Sequence, residues 1–388
     1  MPSFLKFTLK TCVTFFAAAS AWAYPSFVSY GYKSCMTCHY NGQGSGPLND
    51  YGRALFSQEI ASRAFYSNKT TDEQLGESSG FLGKTPLPYW LRPGIKYRGL
   101  ALQTDPGSQL SKNRFIHMQA EANLALSLDQ DQKYVFVGSY GYIPTPQGQS
   151  GSANMPSNWL SREHYFRWQI SDEYFVFIGS MDKVYGIRII DHTAYSRKYT
   201  GNAQNDQTHG VMIQRVRPEK EFTVHLFAGN LAQDSANRQK GLSVMYEKDL
   251  GEFHRVGGTA YYSSDDYVKW TRAEGHSKYG FGKGNSLLSE FGLIKNEVVN
   301  SAATTGAYAM LEANALLTRG YNFVSQVDYY NQTMSTSTPD LIRWSSGLLM
   351  FPAPRWEVRT FIVNGRTVSD SGISPDLWTL QGQLHLSL

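Results

Sequence analysis

The feature of this chain that most constrains its fold is a series of long segments in which apolar and polar side chains alternate. The clearest segment runs from Asn113 to Leu128 and the last from Trp378 to Leu388, each with one largely apolar and one largely polar face. Strands of soluble domains average about 5–6 residues, whereas alternating strands of about ten residues or more are typical of barrels that span a membrane. We therefore predict an all-β chain that contacts lipid with one face and encloses a polar lumen with the other.

About sixteen such segments follow one another over residues 93–388, separated by Gly, Asn, Asp, Ser and Pro. We expect them to begin near residues 94, 113, 134, 160, 174, 209, 220, 241, 253, 267, 286, 305, 320, 341, 355 and 376. Long and short connections alternate, except that Gly275 to Gly284 is interpreted as a long connection where a short one is due. Since such barrels have short periplasmic turns and long outer loops, the sequence predicts an antiparallel transmembrane β-barrel of sixteen strands, give or take two, with both ends in the periplasm.

The first 23 residues have the pattern of a secretory signal peptide. Lys6 and Lys10 precede an apolar run from Cys12 to Ala19, and Ala21-Trp22-Ala23 matches the small-x-small site that signal peptidase cleaves. A lipoprotein anchored through Cys12 is the alternative, but Lys10 and Thr11 stand where apolar and small residues are required. We expect the mature chain to begin at Tyr24 and the barrel to insert into the bacterial outer membrane with the help of the barrel-assembly machinery.

Composition excludes several other classes of protein. A chain of 388 residues with 18% charged and 41% hydrophobic residues is not disordered. No segment after residue 23 has the roughly 18–20 uninterrupted apolar residues that a membrane helix needs. The net charge of +4 falls close to zero once the two signal-peptide lysines are removed, so nothing indicates a nucleic-acid partner.

The two cysteines of the mature chain lie in Cys35-Met36-Thr37-Cys38-His39, the spacing that attaches a c-type haem. Two thiols at this spacing reach the two vinyl groups on one edge of a haem, and the following His supplies an axial ligand to the iron. A disulfide or thioredoxin-like pair is one alternative, although no βαβ pattern surrounds it. A structural zinc site is another, but it needs about four N or S ligands. We predict one covalent haem c on Cys35 and Cys38 with His39 on the iron, attached by the periplasmic haem-attachment machinery.

One short helix follows the motif. Asn49 is a candidate N-cap, and Tyr51, Leu55, Phe56 and Ile60 have mostly helical spacing in a helix expected to end near Ala64. Residues 24–65 would thus form the haem segment and residues 66–92 a linker. So short a segment cannot cover both faces of a porphyrin, and we expect it to lie in the lumen as a plug or in the periplasm.

A second axial ligand is not available within this segment, because no Met or His occurs between Tyr40 and Ile116. The iron is then five-coordinate or receives a ligand from the barrel. The candidates in the lumen-facing phase of the alternation are His117, His225 and His385. For each single His, an ordinary polar lumen residue is the commoner explanation.

The chain resembles the family of fused monohaem cytochrome–porins, outer-membrane proteins associated with oxidation of extracellular ferrous iron. The resemblance rests on the signal peptide, Tyr24 to Phe27, Cys35 to His39, Pro47 to Arg53 and the C-terminal barrel. It implies covalent haem on Cys35 and Cys38, ligation by His39, and oxidation of an extracellular donor. The Gly-rich Asn41 to Gly46 departs from the family pattern. More weakly, Gly179 to Arg197 resembles a strand and loop of substrate-specific porins.

Two functions follow from these expectations. In the first, one haem in a plugged barrel moves electrons between an extracellular donor or acceptor, such as a metal ion or another reductant, and a periplasmic electron carrier. The chain would be an oxidase if a donor such as ferrous iron is oxidised at the outer face. In the second, the barrel is a solute porin with the haem domain as a periplasmic appendage or gate. The residues predicted to face the lumen and to suit an anion are Arg343, Arg355, Glu357 and Arg359.

Overall fold

The computed structural model describes residues 24–83, 87–105, 111–144, 158–334, 338–370 and 372–387. The expected signal peptide, residues 1–23, and the final residue, Leu388, lie outside the described residues. Within the described ranges, no helix is long and apolar enough to cross a membrane.

The described residues contain sixteen long strands that form one closed antiparallel barrel. The first strand pairs with the last, with Lys96 opposite Ser387, and this pairing closes the sheet. Two further two-residue strands, Trp159–Leu160 and Gly372–Ile373, lie in connections. The long strands are β1 (Leu91–Asp105), β2 (Lys112–Ser127), β3 (Tyr134–Tyr142), β4 (His164–Gln169), β5 (Tyr174–Met181), β6 (Thr208–Arg217), β7 (Lys220–Phe227), β8 (Lys240–Asp249), β9 (His254–Ser264), β10 (Val268–Gly280), β11 (Ser286–Val298), β12 (Thr304–Thr318), β13 (Tyr321–Asn331), β14 (Asp340–Met350), β15 (Trp356–Ser369) and β16 (Leu377–Ser387).

The predicted fold class, an all-β transmembrane-type barrel of about sixteen strands, is confirmed. Every predicted strand start lies within about four residues of an observed one. The interpretation of Gly275 to Gly284 as a long connection is wrong, because β10 continues through Gly280. Gly275 pairs with Gly258 on β9, and a Cβ on Gly280 would lie 2.7 Å from Cα of Ser29. A strand interior accepts glycine where another backbone approaches closely, and this explains Gly280, whereas a Cβ on Gly275 would meet only the carbonyl of Gly257, at 4.0 Å.

The two faces of the wall differ as the alternation predicts. Strand β12 lies between β11 and β13. Its Glu312 and Asn314 side chains are buried inside the barrel, whereas the side chain of Leu311 is 47% exposed on the outside. An apolar outer band over a polar interior is the arrangement of a barrel surrounded by lipid. Exposed apolar side chains of the outer face include Ile95, Ile178, Ile213, Leu226, Phe323, Ile342, Ile362 and Leu380.

At one end of the barrel, called the turn end, the connections between strands are short. At the other end, called the loop end, they include the longest connections. The turn-end connections comprise residues 128–133, 170–173, 218–219, 250–253, 281–285, 319–320 and 351–355. Both β1 and β16 have their free ends at the turn end. By the convention of outer-membrane barrels the turn end faces the periplasm.

Residues 24–61, called the plug from here on, lie inside the barrel. The plug contains 3₁₀ turns at Pro25–Tyr30 and Cys35–Thr37, helix α1 at Asp50–Leu55, and a π-helical turn at Phe56–Ile60. Its apolar residues pack in two groups against the inner wall. Tyr24, Phe27, Phe56 and Ile60 contact Val324, Leu349 and Phe351, and Tyr40 joins Val135, Tyr165, Phe177 and Met212.

The helix that follows Asn49 ends earlier than predicted. Ala61 is extended, and its N–H donates to the carbonyl of Phe56 at 2.8 Å, which closes the helix at Ile60 rather than near Ala64. The chain then crosses the turn end, where the N–H of Ser62 donates to the carbonyl of Phe351 at 2.8 Å. The segment expected to be a linker contains helix α2, Asp72–Glu77, and a 3₁₀ turn at Phe81–Gly83.

The connection between β5 and β6, residues 182–207, folds back into the lumen and is called the lumen loop from here on. Ile187, Ile189 and Ala194 are buried and pack against Leu288 and Met310 of the barrel wall. The loop includes the short helix α3, Tyr195–Lys198. The barrel is therefore filled by two inserts, the plug, anchored at the turn end, and the lumen loop.

Candidate functional site

The Cys-x-x-Cys-His turn is held in place by one side chain. The Asn49 main-chain N–H donates to the carbonyl of Cys38 at 2.9 Å, and its amide nitrogen donates to the carbonyl of Thr37 at 3.1 Å. The same side chain accepts from the N–H of Gly52 at 2.8 Å, as an N-cap does. Asn49 thus caps α1 and joins it to the turn that carries the two thiols.

Helix α1 lies directly on the backbone of Cys38. A Cβ added to Gly52 would be 2.4 Å from the carbonyl oxygen of Cys38 and 2.8 Å from its Cα. Only glycine allows this approach, which explains the residue type at position 52.

Both thiols open into one internal cavity between the two inserts. Cys35 and Cys38 line it from the plug together with Tyr24, Phe27 and Tyr32. The opposite lining comes from the lumen loop and includes Ile187, Ile189, His192 and Arg197.

The cavity is lined by more basic than acidic side chains. Arg162 is buried, and its Nε has no hydrogen-bond partner among the described residues. Several of the other basic side chains already form ion pairs, such as Arg188 with Asp182 and Lys278 with Glu247. The unsatisfied Nε of Arg162 is therefore the feature that favours an occupant with negative charge. The basic residues are Lys33, Arg98, Arg162, Arg188, Arg197, Lys278 and Arg359; the acidic ones are Asp182, Glu221 and Glu247.

The two thiols are not poised to act as nucleophiles. Burial raises the pKa of Cys35 to about 11. Burial, with the neighbouring Cys35, raises the pKa of Cys38 to about 12. Reactive and redox-active cysteines have lowered pKa values, so both side chains remain protonated thiols at neutral pH. Both cysteines are free, and the described part of the chain has no group of three or more His, Cys, Asp or Glu that could hold a metal ion.

His39 is completely buried next to the cavity but is not among the residues that line it. Its ring forms a hydrogen bond with the main chain of Ser45. Burial lowers the pKa of His39 to about 3, and the charge of Lys96 lowers it further. The imidazole is therefore neutral, which is the form that ligates iron.

The Gly-rich stretch Asn41 to Gly46 lies between the motif and α1, and residues 42–45 line the cavity. It fits closely against the barrel wall, since a Cβ on Gly42 would overlap the side chain of Gln214 and one on Gly46 would lie 2.5 Å from Glu163. Lys96 also donates to the carbonyl of Gly46 at 3.0 Å.

The prediction that His117 faces the lumen is wrong. Gly99 on β1 is opposite His117, but Arg98 is opposite Gln119, so Met118 is an extra residue in the ladder. Such a bulge changes the phase of the alternation. His117 accordingly lies on the outer face, where its Nδ1 is 2.9 Å from the hydroxyl of Tyr97.

His225 and His385 face the interior, as predicted, but neither lines the cavity. Nδ1 of His385 is 2.9 Å from Glu357, and its Nε2 is 3.0 Å from Gln383. Neither ring nitrogen of His225 has a hydrogen-bond partner within the described residues.

The four charged residues expected to suit a solute anion mostly hold the inserts in place. Arg343 forms ion pairs with Asp328 and, through the lumen loop, with Asp191. Arg359 pairs with Glu357, which accepts from the hydroxyl of Tyr24 on the plug. Arg355 lies in a turn-end connection and donates to the carbonyl of Ser78 at 3.4 Å.

Two residues whose side chains can ligate haem iron were not predicted from the sequence. His192 and Met245 both line the cavity with the cysteines. His192 lies in the Asp191 to Tyr195 stretch, but nothing local predicts that this loop turns inward. Burial lowers the pKa of His192 to about 3, and nearby Arg98 adds to the effect, so this imidazole is also neutral.

The residues around the cavity fit a covalently attached haem on two counts. The two thiols have the required spacing and face one cavity, and the Nε of buried Arg162, which has no hydrogen-bond partner among the described residues, suits a propionate carboxylate. His39 follows Cys38 in the same turn, and its main-chain N–H donates to the carbonyl of Cys35 at 3.0 Å.

Comparison with known proteins finds no matching family model and no matching curated protein. Solved structures do match. OmpT of Vibrio cholerae has a TM-score of 0.60 at 9% identity, covering 78% of this chain and 99% of that one. The anion-selective porin from Comamonas acidovorans has a TM-score of 0.55 at 10% identity, covering 77% and 99%. OprB of Pseudomonas putida has a TM-score of 0.57 at 8% identity, covering 77% and 94%. At these identities the similarity shows the fold alone, a closed antiparallel barrel of the outer-membrane type.

Proposed function

We propose that this chain is a bacterial outer-membrane protein in which one covalent haem c carries electrons through a plugged barrel. One observation carries the proposal: both thiols of the Cys-x-x-Cys-His motif open into a cavity enclosed between the plug and the lumen loop, inside a barrel with an apolar outer face. A bound haem c supplies reversible one-electron transfer at this position. Held between the two inserts, it would place a redox centre inside the barrel.

The residues of the chain have distinct parts in this proposal. Cys35 and Cys38 would hold the haem edge through thioether bonds, and His39 would ligate the iron. Arg162 would offer its guanidinium group to a propionate. The inserts exclude bulk water from the cavity, because their apolar residues pack directly on the inner wall.

The partners follow from the orientation of the barrel. A periplasmic electron carrier would dock at the turn end, where the plug enters, and an extracellular metal ion or other reductant would donate at the loop end. Oxidation of ferrous iron there would make the protein an oxidase. Maturation would require the periplasmic haem-attachment and barrel-assembly machineries.

A solute porin is the second candidate, favoured by the fold it shares with porins and by the basic lining of the cavity. It is less well supported, because the plug and the lumen loop both occupy the lumen, and a solute would pass only if they moved.

Haem attachment is tested by producing the full chain in cells that contain the periplasmic attachment machinery. We expect a haem-stained band on a denaturing gel for the wild type and none for Cys35→Ala combined with Cys38→Ala. Thr37→Ala, which changes a residue between the cysteines, is the matched control and should retain the stain. A stained double variant would contradict the proposal.

Conduction of electrons is tested separately in sealed proteoliposomes. A membrane-impermeant reductant outside should reduce an acceptor trapped inside for the wild type and not for the double-cysteine variant. A small anionic dye trapped in the same vesicles should be retained. Rapid loss of the dye with no dependence of acceptor reduction on the cysteines would favour the solute porin instead.

A further inference from the structure

A haem c bound as the proposed function requires has a second axial position on its iron. The plug cannot provide that ligand beyond the motif itself, because residues 40–116 contain neither Met nor His. A ligand has to come from the barrel or its connections, and it has to reach the cavity that the two thiols line.

Most histidines are unsuited by position or by existing partners. Both ring nitrogens of His276 face glutamates, Glu274 at 3.0 Å and Glu247 at 2.8 Å. His164 and His209 contact each other through their Nε2 atoms at 3.0 Å. His117 lies on the outer face, and His225, His254 and His385 do not line the cavity. Within the described part of the chain, His192 is the histidine that lines the cavity with Cys35 and Cys38.

The lumen loop holds His192 firmly at this place through its neighbours. Asp191 pairs with Arg343 and accepts from the N–H of Thr193 at 2.8 Å. The carbonyl of Ile189 accepts from Arg197 at 2.7 Å. The ion pair to the barrel wall and the hydrogen bond within the loop therefore fix the chain on both sides of His192, whose side chain lines the cavity.

Met245 is the rival, since a thioether also ligates haem iron. Its side chain belongs to an apolar cluster with Tyr40, Val137, Phe177 and Met212, and Met36 packs against that cluster. A thioether in such a cluster needs no polar partner, whereas the two ring nitrogens of an imidazole do. This difference favours His192.

We propose that His192 is the distal axial ligand of the haem iron. His39 of the plug and His192 of the lumen loop then ligate one iron from opposite inserts, so the haem joins the two inserts to each other. The ligand would thus come from the Asp191 to Tyr195 stretch, to which the electron-conduit function otherwise assigns no part.

The test uses the full-length protein, purified in detergent with haem attached, and reads the ligand field by optical absorption and low-temperature spin resonance. We expect a low-spin bis-imidazole spectrum for the wild type and a high-spin spectrum for His192→Ala. Added imidazole should restore the low-spin spectrum of that variant, which a merely misfolded protein would not show. His192→Met should give the spectrum of a His–Met haem.

The matched controls are His225→Gln and Met245→Leu, which should keep the wild-type spectrum. A low-spin spectrum that survives in His192→Ala, or is lost in Met245→Leu, would overturn the assignment while leaving the proposed function intact. A wild type with attached but five-coordinate haem would do the same. A wild type that stains for no haem would overturn the proposed function and this assignment together.

Discussion

Asn49 and Gly52 explain why the stretch after the Cys-x-x-Cys-His turn has the residues it has. Asn49 needs both an acceptor and a donor, because it caps α1 and also binds the carbonyl of Thr37. Gly52 has to lack a side chain, because the helix rests on the backbone of Cys38. These requirements are local and physical, and they hold whatever occupies the cavity.

Gly52→Ala is the sharpest test of this contact. In an ordinary helix the change would stabilise by about 0.5–1 kcal/mol, but here the new Cβ would meet the carbonyl of Cys38 at 2.4 Å. We expect destabilisation of the plug by about 1–3 kcal/mol, the usual cost of overpacking. Hydrogen exchange of the α1 amides in the purified barrel would measure it.

The matched control is Gly76→Ala in α2, where the Cβ would meet only the end of the flexible Gln58 side chain at 2.5 Å. That variant should leave the exchange of the α1 amides unchanged. Equal protection of α1 in the wild type and in Gly52→Ala would mean that the helix does not rest on Cys38.

Individual residues could be assigned from the sequence where their contacts are with neighbours in the chain, and not where their contacts are with distant residues. The thiol spacing and the Asn49 cap depend on residues a few positions apart, so both could be proposed from the sequence. The place of His192 depends on Arg343, more than a hundred positions away in the chain. No pattern around His192 carries that information, and the residue was missed.

At the scale of elements, the strands were predictable because side chains on a strand alternate with a period of two and the turns have characteristic residues. The alternation gave the number of strands and nearly all their starts. It could not show the bulge at Met118, which moves His117 from the lumen face to the outer face of the barrel. The residue types around the bulge occur on either face of a strand, so they do not reveal it. Gly275 and Gly280 likewise resembled a turn although they lie within β10.

Lipid contact of the outer face is tested on β12. Leu311 lies at the middle of the strand, and Leu317 lies at a bulge near the turn end; their side chains are 47% and 61% exposed respectively. An arginine on the lipid face costs about 2–4 kcal/mol at the bilayer midplane and about 0–1 near the interfaces. We expect Leu311→Arg to destabilise the barrel by the larger amount and Leu317→Arg by the smaller one.

Unfolding of each variant from lipid vesicles in urea, followed by the loss of heat-modifiable migration, gives the two values under identical conditions. Similar destabilisation at the two positions would show that the depth assigned to β12 in the bilayer is wrong. No destabilisation at either position would contradict a lipid-facing outer surface.

At the scale of the whole molecule, the charges inside the barrel hold two inserts rather than line an open channel. Arg319 donates to the carbonyls of Ala61 and Ser57 at 2.8 and 3.1 Å and so fastens the plug. Arg343 fastens the lumen loop through Asp191. A barrel of sixteen strands would otherwise leave an aqueous channel, and these contacts are what the interior uses to close it.

Because the two inserts obstruct the same lumen one behind the other, releasing one should leave the other in place. We therefore expect Arg319→Ala and Asp191→Asn each to raise single-channel conductance in planar bilayers only slightly, and the double variant to raise it several-fold, more than the two single effects together.

Asp376→Asn, which breaks the exposed Asp376–Arg366 pair at the loop end, is the matched control and should not change the conductance of either single variant. A large increase from Arg319→Ala alone would mean that the lumen loop does not obstruct the lumen, and a large increase from Asp191→Asn alone would mean the same for the plug. Additive small effects in the double variant would mean that the two inserts do not act in series.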